Sequence, residues 1–255
     1  MLILYFNAIS FTIKDIYMKS TEELMFDALS GIIDIDSIKD VIWDKLPTNG
    51  EGLLVGAVFG IHDYKSGKTE TRSIGSRDMA GKKPIQSGNV MRIRSVSKTY
   101  IVEVIKQLHK EGALDINDKV WDWIQRLKQC ETLDVQLRKA LERLHIGQDS
   151  TIEDLMKHTS GVGTWGHAGM YSKLTETPGK KWSLKELFNE EQGWVECGTY
   201  KYSEIGYNLL GLIAPLAIGQ LECEDSYKQV IRERVIDKYG LKKTFSREEA
   251  EKPLS

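Results

Sequence analysis

Residues 91–99 read MRIRSVSKT, and this stretch places Ser95 three residues before Lys98. From Ser95 onward, apolar residues recur along one face at helical spacing until Gly112, a residue typical of a helix end. Residues three apart on a helix lie on the same face, so the Lys98 amine can reach the Ser95 hydroxyl. A serine hydroxyl is a poor nucleophile until a base removes its proton. The spacing therefore predicts a nucleophile and its base near the positive end of a helix dipole.

The Ser-x-x-Lys spacing is weak evidence by itself, because two common residues meet at this spacing about once by chance in a chain of this length. A helix-start serine beside a solvated lysine would explain it equally well. The surroundings favour the chemical interpretation. A predicted β-hairpin precedes the motif, a long apolar helix follows it, and Tyr202 and Ser203 form a Tyr-Ser pair far downstream.

The chain before Ser95 predicts one helix and two strands. Apolar positions recur at helical spacing over residues 20–45. Residues 52–61 predict a buried strand, residues 63–68 a turn and residues 69–74 a second strand, which together indicate a hairpin. A two-stranded hairpin is marginally stable alone, so other elements must cover it.

The chain after Gly112 predicts helices separated by loops. Two capping-box patterns predict helix starts at Thr151 with Asp154 and at Ser183 with Glu186. An apolar helix is predicted over about residues 204–218, where Gly219 ends it, and an amphipathic helix over about residues 226–239. The whole chain thus predicts a hairpin followed by a largely helical region.

Several blocks of this sequence match one family in the same order along the chain. They are residues 91–99 (MRIRSVSKT), residues 108–121 with the run EGALD, residues 155–161 (LMKHTSG), residues 198–203 (GTYKYS) and residues 206–213 (GYNLLGLI). On these blocks the chain resembles the class C serine β-lactamases and the related penicillin-binding proteins, D-alanyl-D-alanine carboxypeptidases and esterases. The resemblance covers roughly residues 50–245, and ordered blocks are far more specific than any single motif.

The resemblance implies an α/β fold of the α+β type, β-lactamase/transpeptidase-like, with an antiparallel sheet flanked by helices. It implies a helical subdomain over about residues 113–200. The family-related domain would extend over residues 20–255, after an N-terminal extension over residues 1–19.

The resemblance also implies roles for individual residues. Ser95 would be the catalytic nucleophile, Lys98 its base and Tyr202 a proton-transfer partner. The family's second motif is Tyr-x-Asn, and the matching run here continues with Ser203 and Glu204, so the asparagine is replaced. We expect Ser203 and Glu204 to contact substrate. A Glu204 carboxylate within about 4 Å of Lys98 would oppose the lysine's role as a base, whereas one that points to solvent would not.

The family's third motif, a Lys or His followed by Thr or Ser and then Gly, is not found after Tyr202. Three earlier runs that match this motif in whole or in part lie at the wrong place in the order: residues 65–67, 158–161 and 167–169. The resemblance therefore implies a C-terminally truncated member with an incomplete sheet. Of the two oxyanion donors, the Ser95 N–H would remain, and loss of the other typically costs about 10²–10³ in rate. We expect weak or no turnover from this chain alone.

Other function classes find little support. The formal net charge is −2 and basic residues are scattered, so nucleic acid is not an expected partner. His158 and His167 make no metal-ligand spacing with nearby acids, the three cysteines lie far apart, and no cofactor is expected. Apolar residues 2–13 are too short to span a bilayer and lack a basic leader. No transmembrane segment is therefore expected, and a cytoplasmic location is slightly favoured over export.

Two hypotheses remain open at this stage. The first is a serine hydrolase that acts through an acyl-enzyme on amide or ester carbonyls of a β-lactam, a D-Ala-D-Ala peptide or an ester. The second is a catalytically weak or inactive homologue that acts as a binding or scaffold protein, which the change at Glu204 and the missing third motif favour.

Overall fold

A computed structural model of the chain describes residues 4–5, 56–62, 69–78, 80–177 and 179–250. The predicted helix over residues 20–45 and the predicted turn over residues 63–68 lie outside the described residues. The chain divides into two compact units, Met1–Arg94 and Ser95–Ser255, which are described separately below.

The described strands of the first unit form an antiparallel sheet in the order β1-β2-β3. The strands are β1 (Leu4–Tyr5), β2 (Gly56–His62) and β3 (Thr69–Gly75). In the predicted hairpin pair, Gly56 faces Gly75 and His62 faces Thr69. Gly56 has a steric reason to be glycine, because a Cβ there would lie 2.3 Å from the Ser76 carbonyl oxygen. The flanking of this sheet by helices stays a prediction.

The second unit is helical. Its helices are α1 (Lys98–Glu111), α2 (Val120–Gln129), α3 (Val135–Leu141), α4 (Ile152–Lys157), α5 (Ala168–Glu176), α6 (Leu184–Phe188), α7 (Glu204–Ala217), α8 (Tyr227–Ile231) and α9 (Arg247–Ala250). A 3₁₀ turn, Arg94–Ser97, leads into α1, and a π-helical segment, Arg232–Asp237, continues α8. Among the described residues, no helix is long and apolar enough to cross a membrane.

Helix α1 follows the predicted pattern. Its buried face is formed by Ile101, Val104, Ile105 and Leu108, which recur at helical spacing. Gly112 ends the helix in the left-handed conformation with φ 74°, where the lack of a Cβ removes the steric penalty. The predicted helix over residues 95–112 is confirmed, with its first residues in 3₁₀ form.

Helix α7 is the centre of the second unit. It contacts α1, α2, α4, α6 and α8. Its buried apolar residues include Ile205, Leu209, Leu210, Leu212 and Ile213. A helix that is apolar on nearly all sides must lie inside a protein, so α7 fixes the position of the residues just before its start.

The amphipathic helix predicted over residues 226–239 differs from the structure in one respect. It begins as α8 and changes to a π-helix over Arg232–Asp237. The wider π turn bonds residues five apart and keeps Val230 and Val235, which are five apart, both buried. The hydrophobic pattern alone does not distinguish this arrangement from a plain α-helix.

Candidate active site

Ser95 lies in the 3₁₀ turn before α1, with its side chain exposed. Lys98 is the first residue of α1, and its Nζ donates a hydrogen bond to Ser95 Oγ at 3.2 Å. The predicted proximity of these two side chains is therefore present in the structure. It follows from their spacing of three residues across one helical turn.

The backbone immediately before Ser95 is unusual. Arg94 has φ 43°, in the left-handed region that non-glycine residues rarely adopt. Such a conformation costs on the order of 1–3 kcal/mol and often occurs at functional sites. Arg94 is the first residue of the 3₁₀ turn that carries Ser95.

Tyr202 lies in the segment before α7, yet it contacts the same hydroxyl. Its Oη donates a hydrogen bond to Ser95 Oγ at 2.7 Å. Lys98 Nζ lies 4.7 Å from the centre of the Tyr202 ring and 5.5 Å from that of Tyr207. Ring faces attract a cation at such distances. The structure thus brings together Ser95, Lys98 and Tyr202, with Ser95 Oγ accepting hydrogen bonds from both partners.

Glu204 begins α7 but does not pair with Lys98; these two described residues form no ion pair within 4.0 Å. Its carboxylate instead accepts a hydrogen bond from Thr164 Oγ1. Thr164 Oγ1 in turn accepts one from the Gly166 N–H at 2.8 Å. A Cβ at Gly166 would lie 2.5 Å from Glu204 Oε1, so the carboxylate is packed against this loop. Glu204 is half-buried, and neither of the two predicted positions, beside Lys98 or in solvent, describes it.

The loop that contacts Glu204 is held in place by Glu191. The side chain of Glu191 is 6% exposed. It accepts hydrogen bonds from the Gly163 N–H at 2.8 Å and from the His145 N–H at 3.1 Å. A buried carboxylate that accepts several N–H groups is well satisfied, so the Thr164–Glu204 contact rests on a fixed loop.

Ser203 requires a correction. We expected it to contact substrate, but it is only 1% exposed. Its Oγ accepts a hydrogen bond from the Gly206 N–H at 3.0 Å and donates one to the Gly163 carbonyl. Ser203 is the N-cap of α7, and its hydroxyl is occupied by the protein itself.

His158 also lies beside these residues, which the sequence did not predict. It ends α4 with φ 62° in the left-handed conformation. Its Nδ1 accepts a hydrogen bond from the Ser203 N–H at 3.1 Å. Its ring centre lies 4.5 Å from that of Tyr202 and 4.9 Å from that of Tyr207. Burial and then the positive charge of Lys98 lower the pKa of His158 from 6.5, and Glu204 opposes this.

In the sequence, His158 falls in a look-alike of the third motif, and no pattern there marks Thr164 as a residue of the site. A His-Thr-Ser-Gly run directly after a capped helix was the available signal for His158. Of the other look-alike triplets, residues 65–67 lie outside the described residues, and residues 167–169 form the N-cap and first two residues of α5. Within the part of the chain that the structure describes, no group of three His, Cys, Asp or Glu residues could hold a metal ion.

Comparison with known proteins places this chain in a family. The family model for Beta-lactamase matches residues 51–254. Among curated proteins, Protein Rv1367c of Mycobacterium tuberculosis is 33% identical over 112 residues, which is 44% of this chain and 27% of that protein.

Solved structures share the fold at low identity. The octameric penicillin-binding protein homologue from Pyrococcus abyssi has a TM-score of 0.59 and 20% identity, over 86% of this chain and 46% of that chain. The D-amino acid amidase from Ochrobactrum anthropi, solved with L-phenylalanine amide, has a TM-score of 0.56 and 20% identity, over 88% and 55%. The chain thus spans about half the length of these structures and 27% of the curated relative. The family match covers most of the sequence, and the chain belongs to the beta-lactamase family.

Proposed function

We propose that this protein is a serine hydrolase that cleaves amide or ester carbonyls through an acyl-enzyme on Ser95. The observation that carries the proposal is the Ser95 hydroxyl, which accepts hydrogen bonds from both Lys98 Nζ and Tyr202 Oη. Activation of a serine requires a group within hydrogen-bond distance that can take its proton, and Ser95 Oγ has two such neighbours.

The reaction follows from these contacts. Ser95 Oγ attacks the carbonyl carbon, and its proton passes to the Lys98 amine. The bond to the leaving amine or alcohol breaks as that group takes the Tyr202 proton, which Lys98 then replaces. Water attacks the acyl carbon and gives a proton to Lys98. Ser95 Oγ leaves the acyl group with the Tyr202 proton, which Lys98 again replaces. The Ser95 N–H, beside the start of α1, would stabilise the developing oxyanion.

The proposed substrates are small molecules or peptides with an amide or ester bond: a β-lactam, a D-Ala-D-Ala peptide or a simple ester. Relatives in the fold include a D-amino acid amidase and a penicillin-binding protein homologue, which supports amides above esters. Glu204, which replaces the family's asparagine, would act on substrate through its charge, since its carboxylate is held by Thr164.

The family also supports finer structural proposals. We propose one β-lactamase-related domain over residues 20–255, with an extension over residues 1–19. Within it, residues 113–200 would form the helical subdomain, and the antiparallel sheet would be flanked by helices.

Covalent labelling of the purified chain tests the proposed function. A fluorescent fluorophosphonate and a fluorescent penicillin should each attach to one site, which peptide mass spectrometry should identify as Ser95. Ser95→Ala should abolish the label. Ser172→Ala removes an exposed serine hydroxyl of α5 and should label at the wild-type rate.

The binding or scaffold hypothesis makes the opposite prediction for this experiment. The replacement of the family's asparagine by Glu204 is one feature that favours it. Absence of the label from well-folded wild-type protein, with both probes, would overturn the hydrolase proposal and support a non-catalytic role.

A further inference from the structure

His158 holds the segment that carries Tyr202 at two points. The backbone oxygen of His158 accepts a hydrogen bond from the Lys201 N–H at 2.8 Å. Its ring Nδ1 accepts one from the Ser203 N–H at 3.1 Å. The two donors are the residues immediately before and after Tyr202, so His158 fixes the backbone on both sides of the tyrosine.

The ring of His158 also contacts the Tyr202 ring directly, at 4.5 Å between centres. Tyr207 packs against it at 4.9 Å. The imidazole is therefore enclosed between two tyrosine rings while Nδ1 points to the backbone. The left-handed conformation of His158, with φ 62°, is what brings its carbonyl and its ring to the same segment.

The hydrogen bond to Nδ1 fixes the protonation state of the imidazole. An N–H donor opposite Nδ1 requires a lone pair there, so the ring proton of the neutral form lies on Nε2. An imidazolium carries protons on both nitrogens, and its Nδ1–H would oppose the Ser203 N–H. Protonation thus removes one of the two contacts that hold the Tyr202 segment.

The charged and titratable groups around the ring act on the protonation equilibrium of His158. Lys98 of α1 opposes a second positive charge, and Glu204 of α7 favours one. Tyr200 and Tyr202 face the ring from the segment before α7, and Tyr207 from α7 itself. Lys98 and Glu204 are thus the opposing charges that act on the ring.

We propose that His158 is a positioning residue for Tyr202. In its neutral, Nε2-protonated form, His158 holds the Tyr202 hydroxyl on Ser95. Protonation of the imidazole releases this segment, so acylation of Ser95 declines on the acid side. The consequence for acylation rests on the proposed function, whereas the control of Tyr202 by His158 does not.

The test compares His158→Asn with His158→Ala. Asparagine tolerates the left-handed conformation, and its side-chain oxygen can accept the Ser203 N–H without titrating. We expect the rate of fluorophosphonate labelling in wild-type protein to fall as the pH drops through the titration of His158. In His158→Asn this acid limb should move to lower pH, with the rate at pH 8 reduced less than about tenfold. In His158→Ala the rate at pH 8 should fall roughly 10- to 100-fold, part of the 10²–10⁴ that a positioned proton-transfer group contributes.

Nuclear magnetic resonance supplies a measurement that needs no turnover. Nitrogen-15 shifts of His158 should indicate the Nε2–H tautomer at neutral pH. The ring carbon-13 signal of Tyr202, assigned with Tyr202→Phe, should shift with the titration of His158. Thermal unfolding at each pH checks that every variant is folded.

Two results would overturn the inference: an acid limb in His158→Asn that is the same as in wild-type protein, or a Tyr202 signal that does not follow the protonation of His158. If no variant and no wild-type protein is labelled, the proposed hydrolase fails. The Tyr202 signal still decides whether His158 positions that side chain.

Discussion

At the scale of single residues, the candidate site consists of charged and polar side chains around the Ser95 hydroxyl. Ser95 Oγ accepts hydrogen bonds from Lys98 and Tyr202, and His158 lies behind Tyr202. The carboxylate of Glu204 accepts a hydrogen bond from Thr164, so its charge acts on these side chains from a distance. A charge held in place by the protein can tune a neighbouring titration without taking part in the reaction.

Glu204→Gln tests this charge. The Glu204 carboxylate raises the pKa of His158, against the larger lowering effects of burial and Lys98. Glutamine removes the charge but keeps an oxygen that can accept the Thr164 hydroxyl. We therefore expect the pKa of His158 to fall further below 6.5 in this variant, as measured by proton resonance titration of the imidazole.

The same change affects stability in a definite direction. Because the folded-state pKa of His158 is below 6.5, the unfolded chain binds more protons as the pH falls through this range, and stability is lost. Glu204→Gln should make this loss of stability at low pH larger. Glu131→Gln serves as the control, because Glu131 is an exposed carboxylate that does not act on His158. A His158 pKa that rises, or that shifts equally in both variants, would contradict the argument.

At the scale of elements, the ends of helices position the site. Helix α4 begins in a capping box, where Thr151 Oγ1 accepts the Asp154 N–H at 3.2 Å and Asp154 accepts the Thr151 N–H at 3.0 Å. The same helix ends at His158. Asp154 also accepts the Thr159 hydroxyl at 2.7 Å, which ties the start of the helix to the residue after its end. The cap therefore supports the turn that presents the imidazole.

Thr151→Ala should destabilise the protein by about 0.5–2 kcal/mol, the usual cost of losing an N-cap hydroxyl. Thr151→Ser keeps the hydroxyl and should lie much closer to wild type. Urea unfolding followed by circular dichroism measures both values. Equal stability of the alanine and serine variants would mean that the capping box contributes little to α4.

At the scale of the whole molecule, local features were predictable and long-range ones were not. The Ser95–Lys98 contact and the end of α1 at Gly112 follow from spacing within one helix. The contacts of His158 with Ser203 and of Thr164 with Glu204 join residues 45 and 40 positions apart. They depend on how α4, the loop after it and α7 pack together. The periodicity of the sequence does not predict this packing.

The family resemblance predicted Tyr202 at the site, because its block of sequence matched as a unit. It also led to the prediction that Ser203 contacts substrate, which fails because a helix N-cap inside the core must bond its own backbone. A motif alignment identifies positions along the chain, whereas burial decides which of those side chains can reach a ligand.

The central helix gives the clearest test of how the second unit is held together. Leu209 of α7 is 0% exposed, and α7 contacts five other helices of the unit. Leu209→Ala should lower the free energy of unfolding by roughly 2–5 kcal/mol, through lost burial and the cavity left behind. Val135→Ala, at a residue that is 50% exposed, should change it by less than about 0.5 kcal/mol. Urea unfolding followed by the fluorescence of tryptophan, with the buried Trp123 as a reporter within this unit, measures both. A small effect at Leu209 would mean that α7 can be repacked. The position of Tyr202 on Ser95 would then depend on the His158 contacts more than on the helix that follows it.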